Sequence, residues 1–528
     1  MATQRVLIGG EWRTSQGSET FTALDPKARA ALPETYPVSP WGEIETALQH
    51  AATAAAMTRN WPAERFAAFL EAYAARIEAR AAELIEMANR ETALPVAPRL
   101  KDAELPRTIN QLRQAAHWAR EGSWCNATID SAANIRSQLE PIGPVAVFGP
   151  NNFPFAFNSV AGGDFAAAVA AGNPVLAKGH SSHPGTTRIL AEEAHAAAQQ
   201  TGMPAGFVQL IYRTSHADGA KLVAHPLLGS VGYTGSRSAG TQLKTAADAV
   251  GKPIYLELSS INPVVFLPGA IAQRSSELAE QFATSCLMGA GQFCTNPGLV
   301  LTIAGDATEA FIADIAQRFT AAPVGTLLGE GVLKHLSAGL KELVGHSAKI
   351  IAGGQPGGGT GVCHQNTLLR VSGRDFLAAP AALQTEAFGN ASLIVVAANG
   401  NELLQVLSHL EGNLTGCIYS AKDGSDDALY DQVAAALRAK VGRLLDDKMP
   451  TGVAVSSAMN HGGPFPATGH PGFTAVGLPA AIKRFARLAC YDGVRPHRLP
   501  VNLQDKNPTG KLLRLVDGEW TTGDVAAK

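Results

Sequence analysis

The sequence predicts an α/β protein built on a doubly wound parallel sheet, with a second α/β unit after it. From residue 145 onwards, short apolar segments alternate with longer helical ones, which is the pattern of strand–helix–strand crossovers. Sheets of this kind bind ligands at the carboxyl ends of their strands. The predicted strands are 145–148, 175–178, 207–212, 230–233 and 254–258, and the helices between them are 159–171, 185–200, 217–224 and 238–250.

The second unit contains further apolar strand candidates and one glycine-rich run. The run 353–361 lacks the Lys-Ser/Thr pair of a phosphate-binding loop, and no helical pattern follows it. We therefore interpret it as a surface turn. The strand candidates are 264–267, 299–303, 349–351, 368–371, 393–396 and 416–419.

The flanking segments predict helices before the first sheet and extended chain around it. Ser39-Pro40 is a favourable helix start, because a possible N-cap precedes a proline. An extended pair outside a core often pairs with another subunit. The flanking predictions are a hairpin at 5–12, helices within 40–89 and 108–121, an exposed strand pair at 127–140, and a strand-like tail from 484 with a turn at 517–520.

Composition excludes several classes of protein. The 528 residues are 46% hydrophobic and carry a formal net charge of −2 without a basic stripe, so neither nucleic acid nor a membrane is an expected partner. The N-terminus lacks a signal-peptide core, and no apolar run reaches the ~20 residues of a membrane span. Six scattered cysteines fit a reducing compartment, and we expect a cytoplasmic protein.

A glycine-flanked cysteine is the main candidate for chemistry. Cys294 lies in the turn 289–298, after a helical run at about 277–288. Glycines let such a turn present a thiol to a cleft, with the cysteine's own N–H free for an oxyanion. A lone cysteine is more often a small buried hydrophobe, so other features must support this interpretation.

Three further features supply polar groups at strand ends or in a glycine-containing segment. Asn152 follows the strand 145–148, and its amide is a possible oxyanion donor, although a turn asparagine is the simpler interpretation alone. Glu257 ends an apolar strand, where a carboxylate withdrawn from water suits a general base; a solvated strand-end residue is equally consistent. The segment 384–389, which contains Glu386, indicates nothing by itself.

Taken in order, these features resemble the aldehyde dehydrogenase superfamily over nearly the whole chain. Two departures stand out: serines replace two family glycines, and an asparagine replaces a family proline. The family's Asn-Phe-Pro corresponds to Asn152-Phe153-Pro154, its Glu-Leu-Gly-Gly to Glu257-Leu258-Ser259-Ser260, its Gly-Gln-x-Cys to Gly291-Gln292-Phe293-Cys294, and its Glu-x-Phe-Gly-Pro to Glu386-Ala387-Phe388-Gly389-Asn390.

The resemblance implies a covalent mechanism. Cys294 as thiolate attacks an aldehyde, and Asn152 and the Cys294 N–H hold the oxyanion. Hydride leaves the thiohemiacetal for a nicotinamide, giving a thioester that Glu257 hydrolyses through a water. Glu386 is implied to hold the nicotinamide ribose, with Phe388 against the ring region.

The resemblance also indicates the cofactor. Family members carry a lysine corresponding to Lys178, and NAD-preferring members often have a glutamate where this chain has Ser181. Without that carboxylate nothing repels a 2′-phosphate, and Arg213 adds charge, so we predict NADP, with NAD possible. Gly235 and Ser236 match a phosphate-contacting turn at a helix start. The pair His180 and His183 lacks further ligands, so no metal is predicted.

The predicted substrate is 2,5-dioxopentanoate (α-ketoglutarate semialdehyde), because motifs around residues 155–185 and 484–518 resemble that branch of the family. Phe157 and Phe293 are expected to flank the substrate channel, which suits apolar chains equally well. Three alternatives stay open: an NADP-linked dehydrogenase of medium or long fatty aldehydes, an acylating enzyme that uses coenzyme A, and a non-catalytic structural or binding member of the fold.

The implied architecture is a Rossmann-like cofactor domain, a catalytic α/β domain and a small oligomerisation arm. An arm of this kind implies a homodimer or homotetramer that acts on a small-molecule aldehyde. The predicted spans are 1–124 and 142–258 for the dinucleotide-binding domain, 259–455 for the catalytic domain, 125–141 and 481–528 for the arm and tail, and 456–480 for a return to the cofactor domain.

Overall fold

Three large β-sheets organise residues 3–526, which is the part of the chain that the computed structural model describes. The strands in chain order are β1 Val6–Ile8, β2 Glu11–Arg13, β3 Thr20–Asp25, β4 Ala30–Pro37, β5 Thr128–Asp130, β6 Ile135–Pro141, β7 Val145–Phe148, β8 Val175–Lys178, β9 Val208–Ile211, β10 Ser230–Thr234, β11 Ile254–Glu257, β12 Val264–Phe266, β13 Leu299–Ile303, β14 Lys349–Ala352, β15 Thr367–Ser372, β16 Ala391–Ala397, β17 Asn413–Tyr419, β18 Val441–Asp446, β19 Ala486–Asp492, β20 Arg514–Val516 and β21 Glu519–Thr521.

The helices surround these sheets, and none of those within residues 3–526 combines the length and apolar character needed to span a bilayer. A π-helical segment, Val96–Glu104, leads into α4. The helices are α1 Trp41–Thr58, α2 Ala63–Ala79, α3 Ala81–Thr92, α4 Leu105–Glu121, α5 Gly163–Ala170, α6 Pro184–Thr201, α7 His216–Val223, α8 Arg237–Asp248, α9 Pro268–Leu287, α10 Asp306–Ala321, α11 Glu330–Gly345, α12 Gly373–Ala378, α13 Gly400–Ser408 and α14 Asp427–Arg438.

The first sheet confirms the doubly wound prediction. Its order is β11-β10-β7-β8-β9-β1-β2, and the strands from β11 to β9 are parallel. The chain runs outward from β7 through β8 to β9, and then returns to β10 on the other side of β7. Strand order therefore reverses beside β7, and this is where a sheet of this kind opens a ligand crevice at its carboxyl edge.

The second sheet, of order β14-β15-β16-β13-β12-β17-β18, is parallel except for β14. Aromatic rings of β12, α9 and α10 pack on one of its faces: Phe266 lies 5.0 Å from Phe311 and 6.3 Å from Phe282, centre to centre. The burial of these rings fixes α9 against the sheet, and α9 leads directly into the turn that carries Cys294.

The third sheet joins distant parts of the chain in the order β19-β6-β5-β20-β21. Strand β6 pairs with β19 over seven residues, from Ile135 opposite Asp492 to Pro141 opposite Ala486. All strands of a given sheet come from a single predicted domain. The domain boundaries themselves stay a prediction. The first two and last two residues of those spans lie outside the described part of the chain.

Sequence patterns misplaced some local structure. The helix predicted at 159–171 begins at Gly163, because the chain turns tightly before it: a Cβ at Gly162 would lie 2.6 Å from the Phe157 carbonyl carbon. The hairpin of β3 and β4, the strand β18 and the π-helical segment are not predicted. The segment Val96–Glu104 is polar and lacks helical spacing, so periodicity gave no signal for it.

Candidate active site

The turn that carries Cys294 is held in an unusual backbone conformation. Gly289, Ala290 and Gly291 all have positive φ angles, of 58°, 56° and 68°. The buried Gln292 anchors the turn, since its side-chain oxygen accepts from Leu328 N–H at 2.8 Å and its amide donates to the Gly289 carbonyl at 3.1 Å. A left-handed backbone conformation persists only when the surrounding structure stabilises it, so the turn holds the Cys294 thiol in one position.

Two of the sequence motifs meet at a glycine pair. A Cβ added at Gly291 would lie only 2.0 Å from the Gly389 carbonyl oxygen. The close approach therefore requires glycine at position 291, both for space and for its φ angle. This contact brings the segment that contains Glu386 and Phe388 against the turn of Cys294.

A histidine links the predicted base to the predicted nucleophile. His461 Nε2 lies 3.0 Å from Glu257 Oε1 and 3.4 Å from Cys294 Sγ. Both Glu257 and His461 are only 1% exposed. Both contacts use the same ring nitrogen, so Nε2 either accepts the proton of the thiol or donates one to the carboxylate, and the three groups share a proton beside the nucleophile.

Sequence reasoning missed His461. It lies in an irregular segment, and its N–H donates to Thr474 Oγ1 at 3.0 Å. The segment packs closely because a Cβ at Gly462 or Gly463 would meet a backbone oxygen at 2.2 Å. A histidine followed by two glycines was the available signal, and it is too common to indicate a site alone.

Glu257 keeps one oxygen without a protein partner. Its Oε2 is buried and has no hydrogen bond to any part of the chain that the structure describes. A buried acceptor without a partner is costly, so this oxygen is a natural position for a water molecule. The arrangement fits a carboxylate that activates a hydrolytic water.

Asn152 lies beside the same turn. It is 5% exposed, and its Nδ2 donates to the Gln292 carbonyl at 3.1 Å, leaving the second amide hydrogen for another acceptor. The Cys294 carbonyl is fixed by Asn262 Nδ2 at 2.9 Å, whereas the Cys294 N–H donates no hydrogen bond within residues 3–526. Two free donors near the sulfur are the parts of an oxyanion hole.

Electrostatics keep the resting thiol protonated. Burial raises the pKa of Cys294 well above its ordinary value, and the charge of Glu257 raises it further, while Arg107 acts in the opposite direction. The nucleophilic thiolate is therefore a minor form at neutral pH and needs a proton acceptor in reach. His461 Nε2 contacts the sulfur, and the Glu257 carboxylate also reaches it.

Alkylation tests this assignment. Because the pKa of the Cys294 thiol is raised, its thiolate fraction should still be increasing above about pH 9. We expect iodoacetamide to label Cys294 in the cofactor-free enzyme at a rate that rises through that range, measured by peptide mass spectrometry. Free glutathione in the same reaction serves as the reference thiol. A Cys294 rate that levels off below about pH 8 would contradict the assignment.

The predicted cofactor residues lie along the carboxyl edge of the first sheet. Lys178 ends β8 opposite Ile211 of β9, Arg213 is exposed just beyond β9, and Ser181 is half-buried in the turn after β8. Burial, followed by the charge of Arg213, lowers the pKa of Lys178 to about 8. Lys178 and Arg213, together with the Ser181 hydroxyl, make this part of the sheet's carboxyl edge electropositive.

Gly235 and Ser236 lie at the start of α8, between the lysine and the cysteine turn. Gly235 N–H donates to the Glu257 carbonyl at 3.1 Å, and Ser236 Oγ caps the helix by accepting from Ala239 N–H at 3.4 Å. Free N–H groups at a helix start favour phosphate. The predicted helix-start site is therefore adjacent to the strand that carries the candidate base.

Glu386 lies on the other side of the cysteine turn. Burial raises its pKa to about 7, although a hydrogen bond from the Ser259 hydroxyl opposes this. Its Oε1 also accepts from Ser260 N–H at 3.3 Å. The serines that replace the family glycines therefore contact this carboxylate, and Phe388 lies half-buried two residues further on.

Three phenylalanines form an aromatic wall beside the sulfur. Phe153 lies 5.2 Å from Phe157 and 5.5 Å from Phe293, and Phe157 lies 5.7 Å from His461, between ring centres. These contacts place the two predicted channel residues next to the candidate catalytic chain. An apolar wall with a few polar groups is typical of a small-molecule site.

The side chains of the three candidate catalytic residues also lie close enough together to bind a metal ion. Atoms of Glu257, Cys294 and His461 lie within 4.8 Å of one another. The contacts of His461 with the other two side chains already explain this spacing through proton transfer. That no metal binds here stays a prediction. The histidines considered at the sequence level point elsewhere: His183 Nε2 lies 2.9 Å from the Pro150 carbonyl oxygen.

The fold contains a parallel sheet whose carboxyl edge suits a dinucleotide, and a cysteine lies beside an acidic residue and a histidine. Together these features define a class of protein: nicotinamide-dependent oxidoreductases that use a thiol. The comparisons specify the family. The chain belongs to the aldehyde dehydrogenase family, whose model matches residues 12–449. It is an NAD(P)-dependent enzyme that oxidises an aldehyde to a carboxylate.

Two relatives are similar over most of their length. The chain is 41% identical to alpha-ketoglutaric semialdehyde dehydrogenase 2 of Azospirillum brasilense, over 98% of this chain and 99% of that protein. It is 37% identical to alpha-ketoglutaric semialdehyde dehydrogenase of Acinetobacter baylyi, over 91% of each.

Solved structures share the fold. PnpE in complex with nicotinamide adenine dinucleotide superimposes with a TM-score of 0.80 at 19% identity, over 94% of this chain and all of that one. A 3,6-anhydro-L-galactose dehydrogenase in complex with NADP gives 0.79 at 20% identity, over 93% and 99%. The likeness confirms the predicted aldehyde-dehydrogenase-like fold.

Proposed function

We propose that the protein oxidises 2,5-dioxopentanoate to the dicarboxylate through a covalent intermediate on Cys294. The observation that carries this proposal is the contact chain from Glu257 through His461 to Cys294, next to the Asn152 amide. The names of the two similar semialdehyde dehydrogenases support the substrate.

The proposed mechanism assigns one step to each group. The Cys294 thiol passes its proton toward His461 and attacks the aldehyde carbon, and Asn152 and the Cys294 N–H stabilise the oxyanion. A nicotinamide held by Glu386 and Phe388 would supply the hydride acceptor that allows the thiohemiacetal on Cys294 to become a thioester. Glu257 Oε2 then takes a proton from a water that attacks the thioester and releases the carboxylate and the thiol.

The residues of the sheet edge fit a dinucleotide phosphate. The cations Lys178 and Arg213 and the Ser181 hydroxyl suit the adenosine ribose and its 2′-phosphate. The start of α8 after Ser236 would offer helix N–H groups to the diphosphate, with Gly235 shaping the turn before it because its own N–H is bonded to the Glu257 carbonyl. Glu386 with Phe388 would hold the nicotinamide end. We propose NADP as the preferred cofactor.

Ser181→Glu tests the cofactor assignment. A carboxylate at this position should repel the 2′-phosphate, so kcat/KM with NADP should fall by about 100-fold while kcat/KM with NAD holds or rises. The neighbouring Ser182→Glu is the matched control and should keep the wild-type ratio. A wild-type enzyme that strongly prefers NAD would refute the assignment.

A substrate panel tests the proposed aldehyde. We expect kcat/KM for 2,5-dioxopentanoate to exceed that for hexanal and decanal. The aromatic wall of Phe153, Phe157 and Phe293 favours the second candidate, a fatty-aldehyde dehydrogenase, which requires the reverse order. Product analysis with coenzyme A tests the acylating alternative, against which Glu257 argues because transfer to a thiol needs no hydrolytic base.

We further propose a homo-oligomer assembled through the third sheet. Its edge strand β19 is largely exposed, and Leu488 on it is 68% exposed. An open, apolar strand edge is suited to pairing with a second copy.

We expect wild-type protein to elute as a dimer or tetramer in light-scattering chromatography and Leu488→Lys to shift it toward the monomer. The change Arg487→Lys on the same strand is the control, and a wild-type monomer would contradict the proposal.

A further inference from the structure

Arg107 places a positive charge beside the aromatic wall next to Cys294. It lies in the first turn of α4, and its guanidinium carbon is 5.4 Å from the centre of the Phe157 ring and 5.9 Å from that of Phe153. The Phe157 ring in turn contacts His461, which touches the Cys294 sulfur. One aromatic side chain therefore separates the guanidinium from the candidate catalytic chain.

This guanidinium is short of partners. Its Nε and Nη2 atoms are buried and have no hydrogen bond to any group within residues 3–526. Burial lowers the pKa of Arg107 from its ordinary value, which reflects the cost of keeping this charge away from water. The charges of Glu104 and Glu257 favour the charged form of Arg107, but neither carboxylate bonds these donors, so they are left for a ligand of opposite sign.

The nearest carboxylate is already occupied. Glu104 forms a very short ion pair with Arg99 and accepts from the N–H groups of Phe155 at 2.8 Å and Ala156 at 3.0 Å. Arg99 also donates to the Asn152 carbonyl at 3.0 Å, so it supports the backbone of the oxyanion donor. Of these two arginines, Arg99 has a structural partner and Arg107 does not.

We propose that Arg107 binds the distal carboxylate of the aldehyde substrate and so determines the specificity of the enzyme for short ω-oxo acids. The inference rests on the proposed function, since it assumes that Cys294 attacks the aldehyde end of the same molecule. A guanidinium pairs with a carboxylate through two parallel hydrogen bonds, and both Nε and Nη2 are available for them. The aromatic wall then holds the methylene chain between the two ends.

Arg107 also acts on the Cys294 thiol independently of the substrate. Its positive charge lowers the pKa of Cys294 and thereby favours the thiolate. That role affects every aldehyde equally, whereas carboxylate binding affects only substrates that carry the anion. A pair of substrates that differ only in this group separates the two.

The test compares 5-oxopentanoate with pentanal, which has the same chain length and a methyl in place of the carboxylate. In Arg107→Leu we expect kcat/KM for 5-oxopentanoate to fall by about 100-fold, chiefly through KM, and kcat/KM for pentanal to fall by less than about 10-fold, since the loss shared by both substrates reports the effect of the charge on Cys294. Arg107→Lys should recover part of the loss. Arg113→Leu on the same helix, where the exposed Arg113 pairs with Glu78, is the matched control and should behave as wild type.

The outcomes separate this inference from the proposed function. Equal losses on both substrates, in a variant with wild-type thermal stability, would overturn carboxylate binding and leave the semialdehyde preference of the enzyme intact. A wild-type enzyme that oxidises pentanal as efficiently as 5-oxopentanoate would overturn the proposed substrate class itself.

Discussion

Replacing Cys294 by alanine should abolish hydride transfer, even in a single turnover with stoichiometric enzyme. Without the sulfur no thiohemiacetal forms, and an aldehyde has no hydride of comparable reactivity to release. Loss of a nucleophile that acts together with its base is expected to cost on the order of 10⁶ in rate. The measurement is stopped-flow absorbance of the reduced nicotinamide.

Cys490→Ala is the control for this experiment. Cys490 is exposed on β19 and is remote from the site in the fold, so its removal should leave the rate unchanged. Cofactor binding to Cys294→Ala, followed by fluorescence, should match wild type. Retained hydride transfer in Cys294→Ala would end the covalent mechanism and favour a different nucleophile.

Replacing Glu257 by glutamine should separate the two halves of the reaction. The amide keeps the shape of the side chain and can still hydrogen-bond His461, but it cannot take a proton from water. We expect kcat to fall by about 10²- to 10⁴-fold, because removing a general base has an effect of this size. The first turnover should survive as a burst of reduced cofactor, followed by slow deacylation.

The amplitude of the burst tests the role of Glu257. About one reduced cofactor per active site places Glu257 after hydride transfer, as the hydrolytic base. A variant without a burst would place the carboxylate before that step, as the final acceptor of the thiol proton through His461. Glu309→Gln, which breaks only an exposed ion pair with Arg370, should show wild-type kinetics.

Local sequence was sufficient for the first sheet. The strands β7 and β8 have the predicted bounds, β10 and β11 differ from prediction by one residue at one end, and β9 is one residue shorter at each end. Short apolar strands between helices give a strong periodic signal, since each is buried on both faces of a parallel sheet. The segments that lack this signal, such as the π-helical Val96–Glu104, were missed.

The departures from the family motifs have a structural explanation in the tertiary fold. The Ser259 hydroxyl bonds Glu386, and Ser260 Oγ accepts from Leu414 N–H at 3.0 Å. Asn390 donates through its side chain to the His364 carbonyl and the Asn366 side-chain oxygen, each at 2.8 Å. These hydrogen bonds join segments more than 20 residues apart. A comparison of motifs detects such substitutions but cannot give their partners.

By itself the sequence determined the α/β fold, the cysteine turn and the polar residues Asn152 and Glu257, because glycines, strand ends and apolar periodicity are local properties of the chain. Only the tertiary structure placed His461 between base and nucleophile and left Arg107 without a partner at the aromatic wall. His461 comes from an irregular segment and contacts residues more than 150 positions away, whereas Arg107 lies in the first turn of α4 and meets the aromatic wall about 50 residues further along the chain. The positions of both depend on how distant backbones pack, and no local pattern encodes them.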